Sequence, residues 1–249
     1  MRISVITAVL NRVDNIVQAV NSVQQQTYSN LEYVVVDGGS TDGTLEVLHR
    51  CLDDRATLVS EPDHGIYDAL NKGLARASGE IIGLMHSDDF FADENVLYHV
   101  AQIFTDPAVD AVYGDLDYVA KTDTNRIIRH WKAGEYTQGC LAWGWMPPHP
   151  TLFLRRQVIE QWGGFDTRFL IAADYDAILR YFGQGKIRAA YIPKVLVKMR
   201  IGGQSNHSIR RIFLKSYEDY KALRQNNVGG FFALIWKNLS KLDQFLARD

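Results

Sequence analysis

The sequence predicts an α/β fold built on a mostly parallel sheet, and three observations predict it. Apolar runs alternate with stretches of helical spacing: Ile3 to Val9 then Val13 to Gln26, and Leu31 to Asp37 then Thr44 to Arg50. That is the rhythm of βαβ units with right-handed crossovers. The runs are continuously apolar, as strands buried on both faces are. Finally, acids stand where such strands end: Asp37 closes one run, and IIGLMHSDDFF, from Ile81 to Phe91, leads another into Asp88 and Asp89. Open α/β sheets bind ligands just past the carboxyl ends of their strands.

At 249 residues the chain suffices for one large α/β domain or two small ones. With 47% hydrophobic and 22% charged residues it can bury a sizeable core. A formal net charge of -2 argues against a nucleic-acid partner. Cys51 and Cys140 have no ligand-spaced neighbours and read as reduced thiols of a cytoplasmic protein. The opening MRISVITAVL lacks a signal-peptide h-region and cleavage site, so it reads as a first core strand. No run approaches the roughly 18 apolar residues of a membrane span.

In order, the first strand feeds a helix whose apolar positions are Val13, Ile16, Val17, Val20 and Val23. After the second strand comes Gly38-Gly39-Ser40-Thr41-Asp42-Gly43, which lacks the spacing of a dinucleotide fingerprint or a P-loop. It is either a tight turn with a helix cap, or a place where a ligand nears the backbone and meets Asp37. A third strand, Ala56 to Ser60, precedes a loop that Pro62 keeps from being helical. The helix from Ile66 to Ala77 buries Leu70, Leu74 and Ala77 on one face. Its other face carries Asp68 and Lys72, four apart, either a surface ion pair or contacts to a bound ligand. Asp88 and Asp89 are either a solvated turn capping a helix near Asp93, or hard oxygen ligands for Mg2+ or Mn2+ shared with phosphates.

Val109 to Tyr118 reads as a strand, with Ile127 to Trp131 as its partner. The loop from Lys132 to Pro148, with Trp143 and Trp145, is either an aromatic platform for an acceptor or a plug on the sheet edge. His149 is either structural or a substrate contact, and a short strand follows it. Ala172-Ala173-Asp174-Tyr175-Asp176 opens a helix continuing through Ile178, Leu179 and Phe182, where the macrodipole favours acids. Lys186 to Arg200 reads as two strands broken at Pro193, and Ile201 to His207 as a glycine-rich closing loop. Ser208 to Leu223 and Phe231 to Leu246 are amphipathic helices, basic and aromatic, suited to an anionic membrane surface, to packing, or to a homodimer.

The segments SVITAVLN, VVVDGGSTDGT, NKGLARASGEIIGLMHSDD and GGFDTRFLIAADYDAILR, in this order, resemble the family-2 inverting glycosyltransferases of GT-A fold over about residues 1 to 205. EPDHGIYDALNKG and PHPTLFLRR resemble bacterial members that build colanic acid, capsule and lipopolysaccharide. The resemblance implies a GT-A domain over 1–207, with a nucleotide-binding half (1–105) and an acceptor-binding half (106–207), then a helical extension (208–249). It implies that Thr7, Asn11 and Asp37 line the nucleoside pocket, with Asp68 and Lys72 also on the donor side. It implies that Asp88 and Asp89 hold Mn2+ or Mg2+ and ribose, with His207 as a further metal ligand, and that Asp174 is the general base. Two positions depart from the pattern: His86 replaces the first acid of the Asp-x-Asp signature, and Ala173 the Glu before the base.

The expected protein is thus a cytoplasmic, metal-dependent enzyme, either free or peripheral to the inner face of the plasma membrane. It would move a sugar from a UDP-sugar to a lipid-linked glycan or polysaccharide precursor. A sugar-nucleotide pyrophosphorylase shares the sheet and the acids, but needs a glycine-rich loop with Arg and Lys after the first strand, which Thr7 to Asn11 does not supply. A non-catalytic nucleotide-sugar-binding subunit is the other alternative, suggested by His86 and Ala173.

Overall fold

The computed structural model describes residues 1–201, 209–230, 233, 234, 236 and 237. The strands are β1 (Ile3–Val9), β2 (Leu31–Asp37), β3 (Ala56–Ser60), β4 (Ile81–Leu84), β5 (Phe90–Phe91), β6 (Ala111–Val119), β7 (Ile127–Trp131), β8 (Phe153–Arg155) and β9 (Ala189–Arg200). The α-helices are α1 (Ile16–Gln24), α2 (Thr44–Cys51), α3 (Ile66–Arg76), α4 (Val96–Ile103), α5 (Arg156–Trp162), α6 (Ala173–Ile178) and α7 (Ile209–Gln225). The strands form one mixed sheet in the order β3-β2-β1-β4-β8-β6-β9-β5, with β7 added to β6.

β3, β2, β1 and β4 are parallel, and β8 joins β4 antiparallel. Every residue of β1 and β2 is buried, as their continuous apolar runs require. Alternate side chains of β1 feed opposite faces. Ile3, Val5 and Val9 pack with Ile16, Val20, Leu97 and Val100, while Ile6 and Ala8 meet Ala69 and Leu70 of α3. Gly73 lets α3 lie this close, since a Cβ there would run into Ile6. A further core around Tyr113, Leu154, Phe169, Tyr175, Phe182 and Leu223 joins α6 and α7 to the sheet. Burying each such large apolar side chain contributes roughly 1.5–3 kcal/mol.

Two expectations change. The expected break at Pro193 is instead a bulge in one strand: β9 pairs Ile192 with Gly114 and Val195 with Asp115, so Pro193 and Lys194 are passed over. Proline costs β9 no ladder bond there. The acids do not end a strand; they occupy the turn between β4 and β5. One mixed sheet runs through both halves, as expected, since β4 pairs with β8 and β5 with β9. Of the helix expected over Phe231 to Leu246, only 233, 234, 236 and 237 are described, and all four are helical. Among the described residues no helix is long and apolar enough to cross a membrane.

Candidate active site

The loops after β1 and β2 are tied to each other. Asn11 takes a left-handed φ of 53°, its N–H donates to Ser40 Oγ at 2.8 Å, and its Oδ1 accepts from the Thr41 N–H at 2.9 Å. Asp37 is fully buried. Its Oδ2 accepts from the Gly39 and Ser40 N–H groups, both at 3.1 Å, and from Ser60 Oγ at 2.6 Å. Asp37 therefore shapes the turn, and its Oδ1 holds only a long bond from Ser40, at 3.3 Å. Thr7 is fully buried too, donating to the Met85 carbonyl at 2.8 Å and lying 3.0 Å from the Tyr33 hydroxyl. Contrary to expectation its side chain does not line an open pocket; it braces β1 against the segment that leads to the acids.

Asp68 and Lys72 do form an ion pair, at 3.3 Å, but within a network. Lys72 also donates to the Pro62 carbonyl at 2.8 Å and lies 3.4 Å from Glu61, while Asp68 accepts from the His64 N–H at 3.0 Å. Together they hold the loop after β3, whose Asp63 carboxylate sits where a Cβ on Gly38 would be.

In the acidic turn Asp88 is half-buried and Asp89 is 1% exposed. Asp89 Oδ1 accepts from the Arg200 N–H at 3.1 Å, and its Oδ2 is buried without a hydrogen-bond partner. The Arg200 guanidinium donates to the Asp88 carbonyl and to Gln18. Burial, reinforced by the neighbouring Asp88 charge, pushes the Asp89 pKa well above the carboxylate range. An orphaned carboxylate oxygen beside a second acid fits a hard cation, which would supply the missing partner. Among the described residues no three His, Cys, Asp or Glu side chains are grouped tightly enough to form a complete metal site. His207, the expected further ligand, lies outside the described residues.

Asp174 stands in the first turn of α6. The loop before it is pinned by Glu218 of α7, whose carboxylate accepts from the N–H groups of Leu170, Ile171 and Ala172 at 2.9, 2.8 and 3.0 Å. Asp174 Oδ2 is 3.2 Å from His149 Nδ1, and Oδ1 is 3.2 Å from the Tyr67 hydroxyl, which also donates to the Ile171 carbonyl at 2.6 Å. The other side of His149 faces His86, with their Nε2 atoms 3.0 Å apart. Asp174 is 21% exposed and His149 25%, and both line a cleft together with Leu74, Leu84, Phe165 and Tyr181.

Burial opposes ionisation of Asp174, but the His149 imidazole, Lys237, the Tyr175 N–H and Lys215 outweigh it, so its pKa lies below the usual range. Burial pushes His149 down to about 4 despite the attraction of Asp174. Asp176 is wholly buried, paired with Arg180 at 3.0 Å and accepting from Asn226 Nδ2 at 2.8 Å. It is thereby removed from any proton transfer in the cleft.

The aromatic loop divides by role. Trp145 packs with Tyr113, Tyr136 and Phe182 and donates to the Ala133 carbonyl at 2.9 Å. Trp143 is 66% exposed and makes an edge contact with Trp236. Tyr67, Glu218 and the His86–His149 pairing carry no mark in the sequence that identifies them, because each acts across at least 46 residues of chain.

Residues 4–163 match the family described as Glycosyl transferase family 2. An uncharacterized glycosyltransferase of Mycobacterium tuberculosis is 33% identical over 186 residues, 72% of this chain and 68% of its own. The chain belongs to glycosyl transferase family 2. A PGL/p-HBAD biosynthesis glycosyltransferase of Mycobacterium bovis is also similar, 30% identical over 217 residues, 85% of this chain and 82% of its own.

Solved structures agree on the GT-A fold of this family 2 glycosyltransferase. Staphylococcus aureus TarS 1-349 in complex with UDP-GlcNAc has a TM-score of 0.70 at 18% identity, over 99% of this chain and 72% of that one. Against a longer TarS chain the match spans 43% of the neighbour, with a TM-score of 0.66. The mannosyltransferase PcManGT of Pyrobaculum calidifontis, in complex with GDP-Man and Mn2+, has a TM-score of 0.66 at 23% identity, over 100% of this chain and 76% of that one.

Proposed function

We propose that this family 2 chain is an inverting, metal-dependent glycosyltransferase that moves a hexosyl or N-acetylhexosaminyl group from a UDP-sugar to a lipid-linked glycan in bacterial surface polysaccharide synthesis. The observation that carries this reading is the placement of the Asp174 carboxylate. It opens onto the cleft and is joined through His149 and His86 to the turn bearing Asp88 and Asp89. An acid able to accept a proton is thus linked through two imidazoles to the turn whose acids suit a diphosphate-bound cation, and a single-displacement transfer needs both functions.

On this reading Asp174 Oδ1 takes the proton from an acceptor hydroxyl as that oxygen attacks the anomeric carbon. The bond to the diphosphate breaks on the opposite face, inverting the configuration. Asp88 and Asp89 would hold Mn2+ or Mg2+, which supplies Lewis-acid neutralisation of the leaving diphosphate. The paired loops at Asn11 and Asp37 shape the nucleoside end, and the network of Asp68 and Lys72 holds the donor-side loop in place. Trp143 offers an exposed ring for the acceptor to stack on. On α7, Phe213, Tyr217, Tyr220 and Arg224, spaced three and four residues apart, are exposed on one face. An aromatic and basic face of this kind suits the anionic surface that would carry a lipid-linked acceptor.

A thermal-shift screen of UDP-glucose, UDP-N-acetylglucosamine and GDP-mannose, with and without Mn2+, tests the donor and the cation together, because a ligand that binds only the native state raises its Tm. A UDP-sugar with Mn2+ should stabilise the wild type, and Asp88→Asn should lose the Mn2+-dependent part while keeping its own Tm. Equal Mn2+-dependent shifts in both proteins would contradict the cation assignment.

A further inference from the structure

The contacts of His149 fix where its protons lie. An ionised carboxylate only accepts hydrogen bonds, so the proton between His149 Nδ1 and Asp174 Oδ2, 3.2 Å apart, belongs to Nδ1. His149 is neutral at ordinary pH, because burial holds its pKa at about 4. Its Nε2 therefore carries a lone pair and must accept. The donor is the Nε2–H of His86, 3.0 Å away. Tyr67 holds the carboxylate less firmly, since its one proton lies on the shorter bond to the Ile171 carbonyl, 2.6 Å against 3.2 Å to Asp174 Oδ1. Oδ1 is thus left as the oxygen open to an incoming proton.

We propose that His149 is a positioning residue for Asp174, its Nδ1–H fixing the plane of the carboxylate, and that His86 locks His149 in the tautomer that does so. The proposal rests on the reading of Asp174 as the base. It gives a role to two histidines that the transfer chemistry does not itself use, and it connects the acidic turn to the start of α6. A carboxylate whose pKa is held low is a weak base, so its effect depends on placement, and a displacement of about 1 Å costs on the order of 10²-fold in rate. The arrangement follows the logic by which a buried partner sets the tautomer and orientation of a catalytic imidazole, here with the imidazole as the orienting group.

Two readouts on the full chain test it. Long-range proton–nitrogen NMR on protein labelled with 15N-histidine, without ligand at pH 7, should find His149 neutral with its proton on Nδ1. His86→Leu should shift that proton toward Nε2. A wild-type His149 protonated on Nε2 alone, or on both nitrogens, overturns the proposal.

The second readout is turnover of whichever of UDP-glucose, UDP-N-acetylglucosamine or GDP-mannose stabilises the wild type most. His149→Asn keeps an N–H at the Nδ1 position, whereas His149→Leu keeps the bulk and loses the donor. The Leu variant should lose about 10- to 100-fold in kcat with the donor KM unchanged, and the Asn variant should retain most of the wild-type kcat. A residue that only fills space would give the reverse order, and that result sinks the proposal. An inactive Asp174→Asn beside a fully active His149→Leu removes this inference alone; an Asp174→Asn that turns over like wild type removes the base assignment and this inference with it.

Discussion

Asp174 and Asp176 lie two residues apart on one helix turn, yet their surroundings give them opposite roles. Asp174 reaches the cleft and has one oxygen with spare accepting capacity, whereas Asp176 is fully enclosed by Arg180 and Asn226. Arg180 also donates to the carbonyls of Trp162, Gly163 and Gly164, so Asp176 anchors a cation that ties α6 to the end of α5. Replacing Asp176 with Asn should therefore cost stability more than rate. Losing a buried hydrogen bond between charged groups costs about 1.5–3 kcal/mol, read as a lower urea midpoint at unchanged slope. A variant as stable as wild type but without activity would assign the proton transfer to Asp176. Their place at a helix start does not tell the two acids apart, since the macrodipole favours both; in the sequence only the family resemblance singles out Asp174.

At the scale of elements, one carboxylate links three neighbouring segments of the sheet. Glu32 on β2 accepts from Ser4 Oγ on β1 and from the N–H and hydroxyl of Ser78 before β4, at 2.7 and 2.8 Å, and lies 3.4 Å from Arg2. Burial raises its pKa, but the Ser4 and Ser78 bonds and the Arg2 charge outweigh it, so the folded value is lowered. Below the unfolded value of about 4.3 the unfolded chain then binds the proton more readily, so this part of the stability is lost as pH falls through the folded value. Asp89, raised in the folded protein, runs the other way over its own range. Comparing wild type with Glu32→Gln isolates the first effect: the variant should be less stable at pH 7, and the difference should shrink below pH 4. A constant difference from pH 7 to pH 3 would contradict this account.

The first three strands could be read to the residue because each is a short, mostly apolar, β-branched stretch bounded by turn residues. β9 could not, because the sequence marks Pro193 as a break and only the partner strand reveals the bulge that accommodates it. The site was legible in the same uneven way. Asp88 and Asp89 stand out by their position and Asp174 by the family resemblance, but that Thr7 and Asp89 are buried, and that His86 meets His149, depends on packing between distant segments.

For the whole molecule, the sheet is the device that brings donor and acceptor sides together. Its parallel strands deliver the loops of Asn11, Asp37 and the acidic turn to one side, while β8 and β9 bring in His149 and Arg200 from the second half. The C-terminal segment closes against this frame. Lys237 is buried 3.0 Å from Asp219 and over the Tyr175 ring, and Ala233 packs against Gly144 and Gly229. Trp236 stays 53% exposed beside Trp143. The residues flanking Asp174 thus pack against the chain beyond the part that matches the family: Glu218 of α7 holds the loop before it, and Lys237 lies over the Tyr175 ring.

The most direct test of the central claim compares the wild type and Asp174→Asn for donor binding and for transfer under identical conditions. With the UDP-sugar that stabilises the protein best, the account predicts equal donor affinity by calorimetry and a loss of about 10²- to 10⁴-fold in the rate of nucleotide release, the usual worth of a general base. A variant that binds the donor equally and releases nucleotide at the wild-type rate would contradict it.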